Sequence, residues 1–260
     1  MKFTLPKWSQ NTGKTETNDG ISQKIALINA RIFCAKNHLD FRGALLIEGD
    51  KIADFGENLF ADGVPETIDK VIDCEGHLLT PGLIDLQVHF REPGFENKET
   101  IETGSRSAAK GGITTAVLMP NTNPVIDNAV VVDSINKRAS EKSYINIRMY
   151  GAITKDLKGE LLSEMGLMKE AGNICGFTDD GLPIMGSLMM RNALEYASGL
   201  DLLIAQHAED IILSNKGCIN EGEISERLGV RGIPNASESV IVARDIELLR
   251  LVKVLEYQIK

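Results

Sequence analysis

The chain has 260 residues, 43% of them hydrophobic and 25% charged, which suits one large globular domain or one domain with a small companion. Its formal net charge of -9 and pI of about 5.1 argue against nucleic acid or an anionic membrane surface as partner. No apolar run is long enough for a membrane span and no signal-peptide core is evident near the start, so the expected location is the cytoplasm.

Residues 1–20 are polar and read as a disordered extension. Residues 21–80 read as a small β domain. Apolar runs at 25–28 and 44–48 are followed by the turn Gly49-Asp50-Lys51 and a third run at 52–55, which predicts an antiparallel unit. Its two histidines, His38 and His77, are expected to be structural or surface residues. Cys34, Cys74, Cys175 and Cys218 form no Cys-x-x-Cys pair and are expected as reduced, mostly buried thiols.

From 81 to 260 the rhythm changes. Apolar runs at 83–90, 114–119, 145–153, 174–177 and 202–205 alternate with helical stretches near 99–110, 127–140, 158–171, 187–198 and 237–253. Such alternation predicts a parallel sheet with helical crossovers, either an open doubly wound sheet or part of a (β/α)₈ barrel. No phosphate-cradling glycine loop follows the first strand, which weighs against a dinucleotide site.

The polar residues that could carry chemistry sit just after these runs. Asp85, Gln87, His89 and Arg91 follow the first, Asn121 and Asn123 the second, Asp179 and Asp180 the fourth, and His207, Glu209 and Asp210 the fifth. In a parallel barrel all of them share the carboxyl-terminal mouth, where such folds place their sites. A lone His89 would read as a hydrogen-bonded core histidine. With Asp179 and His207 at the same end, the set suits a divalent metal such as zinc. Arg91 offers a fork for a carboxylate and Asn121 a neutral donor, so together they suggest an acidic substrate. Singly, Arg91 would read as a rim ion pair with Glu92, and Asn121 as part of a tight turn.

Five motifs in order carry a family resemblance across about residues 24–252. They are Leu79-Thr80-Pro81-Gly82-Leu83-Ile84-Asp85, Val88-His89-Phe90-Arg91-Glu92-Pro93-Gly94 with Met119-Pro120-Asn121-Thr122, Phe177-Thr178-Asp179-Asp180-Gly181, Gln206-His207-Ala208-Glu209-Asp210, and Ile219-Asn220-Glu221-Gly222-Glu223. This pattern resembles the class I dihydroorotases of the amidohydrolase superfamily. The resemblance implies a (β/α)₈ barrel with a small β domain. It also implies reversible conversion of N-carbamoyl-L-aspartate to L-dihydroorotate in pyrimidine biosynthesis, on one or two zinc ions. By match, His89, Asp179 and His207 would be metal ligands, and Arg91 and Asn121 would bind the substrate carboxylate. A homodimer is among the expected assemblies.

Two departures stand out. The first strand reads Gln87-Val88-His89 where the family has His-x-His, and an amide oxygen is a poorer zinc ligand than imidazole. After the helix ending near Val252 the sequence reads Lys253-Val254-Leu255-Glu256-Tyr257-Gln258-Ile259-Lys260, without the family's further ligand histidine or the catalytic aspartate of its last strand. The barrel is therefore expected to be incomplete, with no catalytic residue assigned. The alternative readings are a truncated, inactive homologue and a hydantoinase- or allantoinase-like cyclic amidase.

Overall fold

The computed structural model describes residues 23–252; the extension expected at 1–20 and the segment 253–260 lie outside them. The chain divides into two compact units, one ending at Leu83 and one beginning at Ile84.

The first unit is a five-stranded sheet of β1 (Lys24–Cys34), β2 (Leu39–Glu48), β3 (Lys51–Gly56), β4 (Lys70–Asp73) and β5 (Leu78–Leu79). Strands β1, β2 and β3 form the antiparallel meander expected from the Gly49-Asp50 turn. β4 and β5 instead pair parallel with β1, so the sheet is mixed rather than antiparallel. The physical reason is the connection: the chain between Gly56 and Lys70 is long enough to cross over before pairing again. The small core holds Ala30, Ile32 and Leu45, with Phe41 stacked on Phe55 at a 6.3 Å centroid separation. His38 takes a left-handed conformation after a short 3₁₀ turn, and His77 Nδ1 lies 2.8 Å from the Cys74 carbonyl oxygen, so both serve the local backbone.

The second unit alternates strand and helix. β6 (Leu83–Val88) leads to α1 (Ile101–Lys110), β7 (Ile113–Leu118), α2 (Ala129–Lys142), β8 (Asn146–Gly151), α3 (Met165–Ala171), β9 (Ile174–Phe177), α4 (Ser187–Gly199) and β10 (Leu203–Ile204). Beyond these come α5 (Ile211–Ser214), β11 (Ile219–Asn220), α6 (Glu223–Leu228), β12 (Gly232–Ile233) and the long α7 (Ala236–Val252). The sequence boundaries hold closely, except that the stretch expected to be helical from 158 becomes α3 only at Met165. Residues 152–164 form a loop instead, with Thr154 bridged to Leu162 and glycine at 159 in a left-handed turn.

The five strands β6 to β10 hydrogen-bond in chain order. The pairs with a defined register, β7–β8, β8–β9 and β9–β10, are parallel. A doubly wound sheet reverses its order at a switch point, whereas barrel strands follow one another around the axis, so this order selects the partial (β/α)₈ barrel. Both faces of the sheet are apolar from β7 to β10, as buried parallel strands require, whereas Leu83, Ile84 and Leu86 of β6 are exposed. Ala116 and Leu118 join the helix-side core with Ile147, Met149, Ile174 and Phe177. Val117, Met119 and Tyr150 line the opposite face with Cys175, Leu203 and Ala205.

Local chemistry explains the first crossover. Thr100 and Thr103 exchange side-chain and backbone hydrogen bonds of 3.1 Å in a capping box that starts α1. At Gly104 a Cβ would run into the Phe90 ring, so glycine lets α1 close onto the residue next to His89. The cysteines correct one expectation: Cys218, at the margin of the β11–β12 ribbon, is exposed, and the other three are only partly buried. No helix among the described residues is long and apolar enough to cross a membrane.

Candidate active site at the carboxyl ends of the parallel strands

Residues from β6, β7 and β9 meet in one hydrogen-bonded cluster. His89 Nδ1 lies 3.0 Å from Asn121 Oδ1, and Asn121 Nδ2 donates to Asp180 Oδ2 at 3.2 Å. Because the Asn121 amide nitrogen faces the carboxylate, its oxygen is the acceptor, which makes His89 Nδ1 the donor. The other ring nitrogen, Nε2, faces Asp180 Oδ2 at 3.5 Å. Gln87 Nε2 donates to the other Asp180 oxygen at 3.2 Å. Its amide nitrogen, not the oxygen a metal would need, therefore faces the carboxylate.

The carboxylate beside His89 thus belongs to Asp180, where sequence matching selected Asp179. Asp179 is 2% exposed and turned to the backbone of the neighbouring loop. Its Oδ1 accepts from Ile153 N at 2.7 Å and Thr154 N at 3.0 Å, and its Oδ2 accepts from the Thr154 hydroxyl. Burial pushes the Asp179 carboxyl above the usual range, against the opposing pull of those three donors. Its geometry is that of an anchor between the end of β9 and the loop after β8.

His207 is exposed and lies 3.3 Å from Glu209 Oε2. Ser214 and then His207 hold the Glu209 carboxyl below its ordinary range. Among the described residues, no three His, Cys, Asp or Glu side chains come close enough together to hold a metal ion. His89 and Asp180 do fit as a pair: their 3.5 Å separation is close to the ~3.4 Å between two donors about 2.1 Å from one tetrahedral ion. His89 and Asp180 thus have the spacing of two donors to one ion, and no third His, Cys, Asp or Glu joins them among the described residues.

Arg91 sits two residues beyond His89 with a positive φ of 62°, a conformation that costs a non-glycine residue energy and recurs at functional sites. Glu92, its expected ion-pair partner, is taken by Arg138 and by the Ile101 amide at 2.8 Å. Arg91 has no ion-pair partner among the described residues and is half-buried. The loop that carries it is knitted to the Asn121 loop, since Asn123 N donates to the Pro93 carbonyl at 3.0 Å. A Cβ on Gly94, at φ +96°, would collide with the Asn123 main chain. Gly94→Ala is accordingly expected to cost about 2 kcal/mol of stability and to spread the two loops. Thermal melts read the first effect, and weakened binding of an acidic ligand reads the second.

Comparison with known proteins bears on what this cluster is. The dihydro-orotase-like family model matches residues 76–254. The chain belongs to the dihydroorotase-like family. It is 57% identical to the dihydroorotase of Ehrlichia chaffeensis over 235 residues, which are 90% of this chain and 52% of that one. It is 53% identical to that of a Wolbachia from Drosophila simulans over 251 residues, 96% of this chain and 56% of the relative. Among solved structures, the L-hydantoinase of Arthrobacter aurescens shares the fold with a TM-score of 0.71 at 20% identity, over 89% of this chain and 51% of that one. This family member thus spans about half the length of the curated relatives it matches, and its five-strand sheet is a half-barrel of the amidohydrolase fold.

Sequence reasoning missed three features: Asp180 as the carboxylate at His89, the Arg138–Glu92 pair, and a buried Arg244–Asp245 pair near His207. The adjacent aspartates were a signal for the first, since neighbouring strand residues point to opposite faces.

Proposed function

We propose that this chain carries the substrate-binding part of a dihydroorotase, which interconverts N-carbamoyl-L-aspartate and L-dihydroorotate. The observation that carries the reading is Arg91, a half-buried residue without an ion-pair partner among the described residues, two positions along the chain from His89 of a hydrogen-bonded His–Asn–Asp cluster. Ring closure joins the carbamoyl nitrogen to the side-chain carboxyl carbon and releases water; ring opening is the reverse. The α-carboxylate is common to both molecules, and Arg91 is the residue that pairs with it. Asn121 contacts the same carboxylate from the edge of the cluster and links it to His89 and Asp180. The metal of the reading is zinc, with His89 and Asp180 as donors to one ion, His207 as a donor to another, and Asp179 bracing Asp180. The described residues do not complete either site, so substrate recognition is the part of the reading that this chain's own geometry supports.

The test is calorimetric titration of the chain with L-dihydroorotate and with dihydrouracil, which is the same ring without the carboxylate. Dihydroorotate should bind more tightly, and Arg91→Ala should weaken it roughly 10- to 100-fold, since a charge-assisted pair contributes about 1.5–3 kcal/mol. Equal affinity for the two rings, unchanged by Arg91→Ala, would favour a hydantoinase-like cyclic amidase instead.

A further inference from the structure

A second buried polar network lies on the other side of the His207 segment. Asp245, in α7, is 2% exposed. Its Oδ1 accepts from Arg244 Nε at 2.8 Å, and its Oδ2 accepts from Gln206 Nε2 at 3.3 Å. Gln206 Oε1 in turn accepts from the Ile184 amide at 3.3 Å, and Arg244 Nη1 donates to the Met185 carbonyl at 2.9 Å. Arg244 Nη2 lies 2.7 Å from the same Asp245 oxygen but makes no hydrogen bond, so the arginine is held mainly by its other two nitrogens.

These contacts tie three elements together: α7, the residue before His207, and the backbone at Ile184 and Met185 that follows Asp180. A buried ion pair is seldom kept for stability alone, because desolvation offsets most of its attraction. Hydrogen bonds from the pair to two other elements do fix geometry. We propose that Asp245 is a positioning residue that, through Gln206 and Arg244, sets the placement of the His207 segment against the loop carrying Asp180. The importance given to His207 rests on the functional reading above, but the placement itself can be measured without turnover.

Donor and acceptor matching makes the network testable. In Asp245→Asn an amide nitrogen can face the Gln206 amide nitrogen, donor against donor. Gln206 must then turn over and release Ile184. Adding Gln206→Glu restores an acceptor for both donors and keeps a carboxylate in the network for Arg244. The chain has four histidines, so their ring resonances can be assigned one by one. With ¹⁵N-histidine labelling, Asp245→Asn is expected to move the His207 ring resonances by more than their linewidth while those of His38 and His77 stay in place. The double variant is expected to bring them back. A folded Asp245→Asn with unmoved His207 signals, or a double variant that fails to restore them, overturns the proposal. Should Asp245→Asn not melt cooperatively, Gln206→Met cuts the link while leaving the Arg244–Asp245 pair intact, and unmoved His207 signals there overturn it equally. Failure of dihydroorotate to bind would count against the functional reading and leave this result standing.

Discussion

Asp179→Ala is expected to destabilise the second unit by about 3–5 kcal/mol, a large share of the ~5–15 kcal/mol that holds a typical domain together. The carboxylate satisfies two backbone amides and one hydroxyl, all from residues 153 and 154. Ile153 and Thr154 are both fully buried, so water cannot replace the lost acceptor. Asp179→Asn keeps an oxygen for the two amides and a nitrogen for the Thr154 hydroxyl oxygen, and should cost far less. The pH dependence has a definite sign. Burial raises the folded pKa of Asp179, so between its ordinary and raised values the folded state holds a proton that the unfolded state has released. The stability of the native protein relative to Asp179→Asn should therefore fall as pH rises through that window and be greatest below it. Urea titrations followed by circular dichroism, in EDTA and at several pH values, measure both effects. An alanine variant as stable as the native chain would show that Asp179 is no anchor.

The same residue shows where the sequence was and was not legible. The β/α rhythm, the five strands and the mouth residues could be read from apolar runs, because a strand buried on both faces leaves an unbroken run. The choice between Asp179 and Asp180 could not. Counting by two from Cys175, which lies on the face with Tyr150, puts Phe177 and Asp179 on that same face. In the structure Met149 pairs with Ile174, yet Tyr150 pairs with Gly176, so β9 holds one extra residue. That bulge reverses the alternation: Phe177 joins the helix-side core, and Asp180 rather than Asp179 meets His89. The mixed pairing of the first unit was hidden for a related reason, since β4 and β5 are short and take their direction from a long connection. The Gln206–Asp245 link is a contact between residues 39 positions apart, which no local pattern encodes.

The largest functional effect is expected with zinc. The purified 260-residue chain should retain well under one zinc ion per molecule after desalting, and should hydrolyse dihydroorotate at background rate beside a longer dihydroorotase relative. A catalytic zinc normally has three protein ligands and an open position, and the described residues offer donors only in pairs, His89 with Asp180 at 3.5 Å and His207 with Glu209 at 3.3 Å. Gln87 donates to Asp180 and so competes with a cation for the same carboxylate. His207 is turned to Glu209, so its ring is engaged outside the His89–Asp180 pair. A proton-transfer group alone is typically worth about 10²–10⁴ in rate, and none besides the His89–Asp180 pair stands in this cluster. His89→Ala should abolish zinc uptake at the His89–Asp180 pair, since it removes one of its two donors, while Arg91→Ala should leave uptake unchanged and weaken substrate binding only. Metal analysis by mass spectrometry and a spectrophotometric dihydroorotate assay separate the two variants. One tightly held zinc per chain with turnover at the relative's rate would mean that a donor beyond the described residues completes the site, and the two-cornered geometry would then be the resting half of a working centre.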